Sequence, residues 1–147
     1  VRTEPSCHER TQANMSELDG VFFKEIVDQG LREFPNECCG LIGAAAGVPV
    51  KVFPMTNADA SPVTYRLDGT EQLRTFDEMD AQGWDLWAIY HSHTHSEAYP
   101  SETDRKLAFY PESRYLLLSL ADREHPVLRS FFIDPRGEVT EEELSIT

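Results

Sequence analysis

The sequence predicts a single α/β domain in which one mixed sheet is flanked by about three helices. Three observations predict it. Short, nearly continuous apolar runs over residues 86–91 and 115–120 read as strands buried on both faces. Between such runs lie segments whose apolar residues recur at the helical period. Finally, 147 residues without internal repeat or linker suit one core.

Taken in order, residues 1–15 are polar and are expected to form a disordered leader, with the domain over residues 16–147. Met15 is a candidate native start. A first helix is expected from Ser16, since Val21, Phe22, Ile26, Val27 and Leu31 recur and Pro35 lies past the end. Residues 38–45 read as a buried strand, Gly47 and Pro49 as a turn, and residues 50–55 as the returning strand. A loop over 57–63 leads to a short strand, 65–67. Asp68 or Thr70 then caps a second helix, which turns Leu73, Phe76 and Met79 to the core and ends at Gly83. The strand over 86–91 gives way to a His-rich loop that reaches Pro100. Ser101 opens a short third helix to Phe109. Further strands follow over 115–120 and 127–133, and residues 134–137 turn the chain into a last acidic strand or tail, 139–146.

The formal net charge is −13. Phosphate binding needs a basic face, so nucleic acid is not an expected partner. The acidity permits steering of a basic protein and equally serves plain solubility. No apolar run reaches the roughly 18 residues of a membrane helix, and the leader lacks the apolar stretch of a secretory signal. A cytoplasmic protein without a membrane partner is expected, and a homo-oligomer is compatible with the sequence. Cys7, Cys38 and Cys39 make an odd count, and the last two, adjacent in an extended segment, should point to opposite faces. Reduced thiols are expected, and no C-x-x-C spacing supports a Cys-rich zinc site.

The informative stretch runs from His91 to Asp104. In extended chain, residues two apart face the same side, so His91 and His93 can present two imidazoles to one point. Asp104, on the first turn of the third helix, can add an oxygen. Two histidines and one carboxylate leave a fourth position open, as in catalytic zinc sites. A general base is still required. Glu37, at the junction of the first helix and first strand, is the candidate, although 26 acidic residues compete for the role.

His91-Ser92-His93, seven residues, then Ser101-Glu102-Thr103-Asp104 resembles the signature of the JAMM (MPN-plus) metalloproteases. Pro35-Asn36-Glu37-Cys38-Cys39-Gly40 resembles their upstream Glu segment. The likeness runs from about Val21 to the C-terminus. It implies a curved mixed sheet, a zinc ion on His91, His93 and Asp104, Glu37 as general base, and Ser101 as hydrogen-bond donor to the oxyanion. Thr94 stands where the family usually has Pro. Together with Glu97-Ala98-Tyr99-Pro100, it resembles a bacterial branch that removes cysteine from the C-terminal Gly-Gly of a ubiquitin-like sulfur-carrier protein. Within the family, a broader isopeptidase removing ubiquitin-like modifiers from lysine is the alternative. A non-catalytic scaffold is the alternative outside enzymes.

Each residue also has a plainer reading. His-x-His alone would more often be a surface pair at a strand end. His95 continues the alternation and competes as a ligand, but the family motif does not use it. Ser101 with Asp104 also fits a helix-capping box. A side chain that reaches back to the cap is expected not to reach a metal. Glu97 and Glu102 are next in line as base. Cys38, Cys39, Trp84 and Trp87 read as packing, Tyr99 as a loop anchor, and His8 and His125 as surface.

Overall fold

The computed structural model describes residues 15–147. Apart from Met15, the expected leader lies outside the described residues, as do Cys7 and His8. The described residues form β1 (Met15–Leu18), α1 (Gly20–Glu33), β2 (Cys39–Ala45), β3 (Val48–Met55), α2 (Gly69–Gln82), β4 (Asp85–His93), α3 (Glu102–Lys106), β5 (Arg114–Ser119), β6 (Val127–Ile133) and β7 (Val139–Ile146).

The first element corrects the expectation of a helix from Ser16. Met15–Leu18 is a strand, paired in parallel with β7 from Met15↔Glu143 to Leu18↔Ile146. The helix starts only after Asp19, whose side chain accepts from the Val21 N–H at 2.9 Å. On α1 the buried positions are Ile26, Gln29 and Gly30, while Val21 is 62% exposed and Leu31 is exposed as well. Gly30 lets the helix settle on the sheet, since a Cβ there would stand 3.0 Å from Leu118 Cδ2.

One curled, mixed sheet runs in the order β1-β7-β6-β5-β4-β2-β3. β4 and β5 pair in parallel, and β2 pairs antiparallel with both β3 and β4. β3 is an edge strand, where Pro49 and Pro54 are tolerated. One face carries Cys38, Ile42, Trp87, Ala88, Tyr90, Leu116 and Leu118 against α1 residues such as Phe22 and Ile26. The other carries Cys39, Leu41, Phe53, Ile89 and Tyr115 against Met79 and Phe76 of α2. Cys38 and Cys39 thus face opposite ways, as free buried thiols. Burial raises the Cys38 pKa to about 12 and raises that of Cys39 as well, which makes them inert packing residues.

Of the two cap candidates for α2, Asp68 is the one used, accepting from Glu71 N–H at 3.0 Å. Gly83 ends the helix with φ 74°. Leu73 corrects the expected core stripe, since it is 64% exposed, while Thr75 and Met79 are buried and Phe76 is partly so. Residues 65–67 form no strand but a single bridge, Asn57↔Leu67. α3 stops at Lys106, short of Phe109. Among the described residues, no helix is long and apolar enough to cross a membrane.

Candidate metal centre

A buried inner strand of the sheet delivers both histidines. β4 runs to His93 and not only to His91, so the pair lies within the strand, flanked by β2 and β5. Alternation then puts Ile89, His91 and His93 on the α2 face, while Tyr90 goes to the α1 core. Ser92, on the opposite side from the histidines, fixes the neighbouring strand. Its hydroxyl accepts from Cys38 N–H at 2.8 Å, and its own N–H donates to Cys38 O at 3.1 Å. Behind this pair, Tyr90 Oη donates to Gln29 Oε1, and Gln29 Nε2 donates to Cys39 O at 2.9 Å. Gly40 is required here because any Cβ would run into Tyr90 Oη.

α3 supplies the third group. Ser101 Oγ accepts from Asp104 N–H at 3.0 Å, and Asp104 Oδ2 accepts from Ser101 N–H at 2.9 Å, a complete capping box. The same Oδ2 lies 2.9 Å from His93 Nε2 and 3.1 Å from His91 Nε2. This corrects the expectation that capping would keep Asp104 from the histidines. A carboxylate oxygen has two lone pairs, so one oxygen serves both, and Oδ1 is spare. One ligand atom from each of the three residues lies within 4.8 Å of the others.

The hydrogen bonds fit a cation at this point. His93 Nδ1 donates to the Glu97 carbonyl at 2.8 Å, which aims Nε2 inward. His91 is fully buried, and among the described residues neither ring nitrogen has a hydrogen bond. Its Nε2 is near Asp104 Oδ2 but out of hydrogen-bond alignment. Two imidazole nitrogens and a carboxylate, packed this closely with an unsatisfied nitrogen among them, are compatible with a divalent metal such as zinc. The ring of Tyr65 stacks on His91 at 4.2 Å between centroids and 18° between planes.

Electrostatics separate the four groups. Burial lowers the His91 pKa, against the pull of the adjacent Asp104 carboxylate. Burial would also lower His93, but the bonds to Asp104 and the Glu97 carbonyl outweigh it and raise the value. Burial opposes ionisation of Asp104, yet the adjacent His91 imidazole and the hydrogen bond from His93 hold its carboxyl far below the usual range. Glu37 is 3% exposed, and its Oε1 has no partner among the described residues. Burial pushes its pKa from 4.5 to about 8, with the His93 charge working against the shift and Asp104 adding to it.

This shift has a consequence for the metal-free protein. A carboxyl whose folded pKa is raised contributes stability below its unfolded value and loses it as the pH climbs through the folded one. Wild-type protein without metal is therefore expected to lose stability between pH 4.5 and about 8. Glu37→Gln should lack that component. Thermal melts across this range check it, and parallel profiles for the two proteins would refute it.

The structure thus brings His91, His93, Asp104, Ser101 and Glu37 to one end of the sheet. His95 is exposed, with Nδ1 2.9 Å from Thr94 Oγ1 and its ring against Phe34, away from the ligand cluster. Glu97 contributes its backbone carbonyl, and Glu102 pairs with Lys106 at the surface. Tyr99 rests edge-on against Phe131, and His125 pairs with Asp122 at the surface. Sequence reasoning missed Ser92, Tyr65, Gln29 and Asn57. Of these, only Ser92 carried a signal, its place between the two histidines.

Comparison with known proteins gives the family of the chain. A family described as prokaryotic homologs of the JAB domain matches residues 21–134. The CysO-cysteine peptidase of Mycobacterium tuberculosis is 43% identical over 123 residues, covering 82% of this chain and 84% of that protein. The desampylase of Haloferax volcanii is 35% identical over 88 residues, covering 58% and 63%. The solution structure of protein DSY2949 from Desulfitobacterium hafniense superposes with a TM-score of 0.80 at 35% identity, covering 90% and 92%.

Proposed function

Since the chain belongs to the prokaryotic homologs of the JAB domain, we propose that it is a zinc-dependent peptidase that hydrolyses the bond after the C-terminal Gly-Gly of a ubiquitin-like sulfur-carrier protein, releasing cysteine. The observation that carries the reading is the convergence of His91, His93 and Asp104 within 4.8 Å, with an unpartnered Glu37 beside them. The likeness to a CysO-cysteine peptidase supports the substrate class. The activity is assigned to residues 16–147 in the cytoplasm.

His91, His93 and Asp104 would hold the zinc. When bound, zinc supplies Lewis acidity toward a carbonyl and a lowered pKa for water. Glu37, poised near neutrality, takes a proton from the attacking water and passes it to the leaving amine. Ser101 uses its oxygen to accept from Asp104 N–H, so its own proton is free to meet the developing oxyanion. Ser92 and Gln29 keep the strands that carry these groups in register.

A second reading, isopeptidase action on ubiquitin-like conjugates, is favoured by the likeness to a desampylase. The intact ligand set speaks against a non-catalytic scaffold. The two enzyme readings differ in substrate. A Gly-Gly tail has no side chains to anchor it, so selectivity should come from the folded carrier body, and a narrow channel should admit only glycine. The intact carrier–cysteine adduct is expected to show a far higher kcat/KM than its free tail peptide. A bulky residue in place of the penultimate Gly should block cleavage. Equal values for adduct, peptide and Gly-substituted carrier would mean a loose peptidase.

A further inference from the structure

The carboxylate of Glu37 is placed without a tether of its own. Among the described residues no hydrogen bond reaches it, and Oε1 is buried without a partner. Its position is inherited from its backbone. Glu37 N–H donates to Ser61 O at 2.9 Å. Glu37 C=O accepts from Asn57 Nδ2 at 3.1 Å. The register explains the meeting. Cys39 pairs with Met55 at the end of the β2–β3 ladder, and two residues further along each strand Glu37 stands opposite Asn57.

Asn57 is 6% exposed and uses its whole carboxamide. Nδ2 donates to Glu37 O and, at 2.9 Å, to Thr64 O. Oδ1 accepts from Asp59 N–H at 3.0 Å and from Arg66 N–H at 3.1 Å. Both donor hydrogens and both acceptor lone pairs are thus engaged. Thr64 and Arg66 flank Tyr65, whose ring lies on His91. The same loop is pinned from the other side, where Thr94 Oγ1 donates to Pro62 O at 3.1 Å. One side chain therefore ties the backbone of Glu37 to the loop that covers a histidine of the metal centre.

We propose that Asn57 is a positioning residue that locks Glu37 and Tyr65 as one unit against the His91–His93 pair. The inference rests on the peptidase reading for its kinetic consequence, but not for its structural one. Asn57 acts through Glu37 and touches neither metal ligand nor substrate. Its donor half joins Glu37 to the loop at Thr64, while its acceptor half serves the loop alone.

Asn57→Asp separates the halves. It keeps the shape and the acceptor for Asp59 and Arg66 but loses both donated bonds. Misplacing a reacting group by about 1 Å can cost on the order of 10²-fold. In the zinc-loaded protein acting on the carrier–cysteine adduct, kcat should fall about 10- to 100-fold on this scale. KM and zinc content should stay unchanged. In a Glu37→Gln background the same change should cost nothing further, because the residue through which it acts is already disabled. A merely structural role would lower both backgrounds alike.

The cobalt-loaded protein gives a readout that needs no turnover. Its visible absorption should shift in Asn57→Asp as it does in Glu37→Gln, and the double variant should match the singles. An unchanged cobalt spectrum in Asn57→Asp overturns the inference, as does an equal loss of kcat in both backgrounds. If wild type fails to cleave the adduct, the peptidase reading has failed, and the cobalt spectra alone decide the role of Asn57.

Discussion

Glu37→Gln is expected to keep the fold and the metal and to lose turnover by on the order of 10²- to 10⁴-fold, the contribution typical of a general base. Three features of the structure lead there. Glu37 is buried beside the ligand cluster but is not among the three residues whose ligand atoms converge. Its carboxyl is raised to about 8, so it can accept a proton and hand it on near neutral pH. Gln has the same shape and cannot ionise. Burial also makes Gln a mild change for the fold, since it removes a group that is costly to ionise there. Steady-state kinetics with metal analysis check this. Near-normal kcat in Glu37→Gln would move the base to another residue.

His91→Ala and His93→Ala are expected to abolish metal binding, and with it turnover. Removing either imidazole leaves one nitrogen and one carboxylate, too few protein ligands for a tight site. The two variants should differ in stability. His91 is buried under Tyr65 in the sheet, so Ala leaves a cavity and exposes the stacked ring. His93 lies nearer the rim and loses mainly its bonds to Glu97 and Asp104. Elemental analysis after dialysis and a urea titration measure both effects. Stoichiometric zinc in either variant would remove that histidine from the ligand set.

The sheet was largely legible because its central strands are apolar on both faces. β4 and β5 therefore stand out as nearly continuous apolar runs whatever the periodicity on either side. β1 was not legible, because Met15–Leu18 is a strand only by pairing with β7, more than 120 residues away. Leu73 misled for a different reason. The spacing of Leu73, Phe76 and Met79 defines a stripe rotated from the one that Thr75 and Met79 bury. At the site, the i, i+2 spacing of His91 and His93 was readable because alternation in a strand is rigid. Glu37 became readable only with the family resemblance, as nothing local distinguishes it from other acids. Asn57 and Ser92 act by bonding backbone 20 and 54 residues away, which no local pattern encodes. Asp104 showed that capping need not keep a carboxylate from the histidines when one oxygen faces both.

The claim at the centre is that a metal on His91, His93 and Asp104 works with Glu37 to hydrolyse a carrier–cysteine bond. Intact mass spectrometry of the adduct, after incubation with metal-stripped and with zinc-restored wild-type protein, tests it most directly. The carrier should lose one cysteine residue with the zinc-restored protein and remain whole with the stripped one. Equal cleavage by both preparations, or an intact adduct with fully zinc-loaded protein, would contradict it.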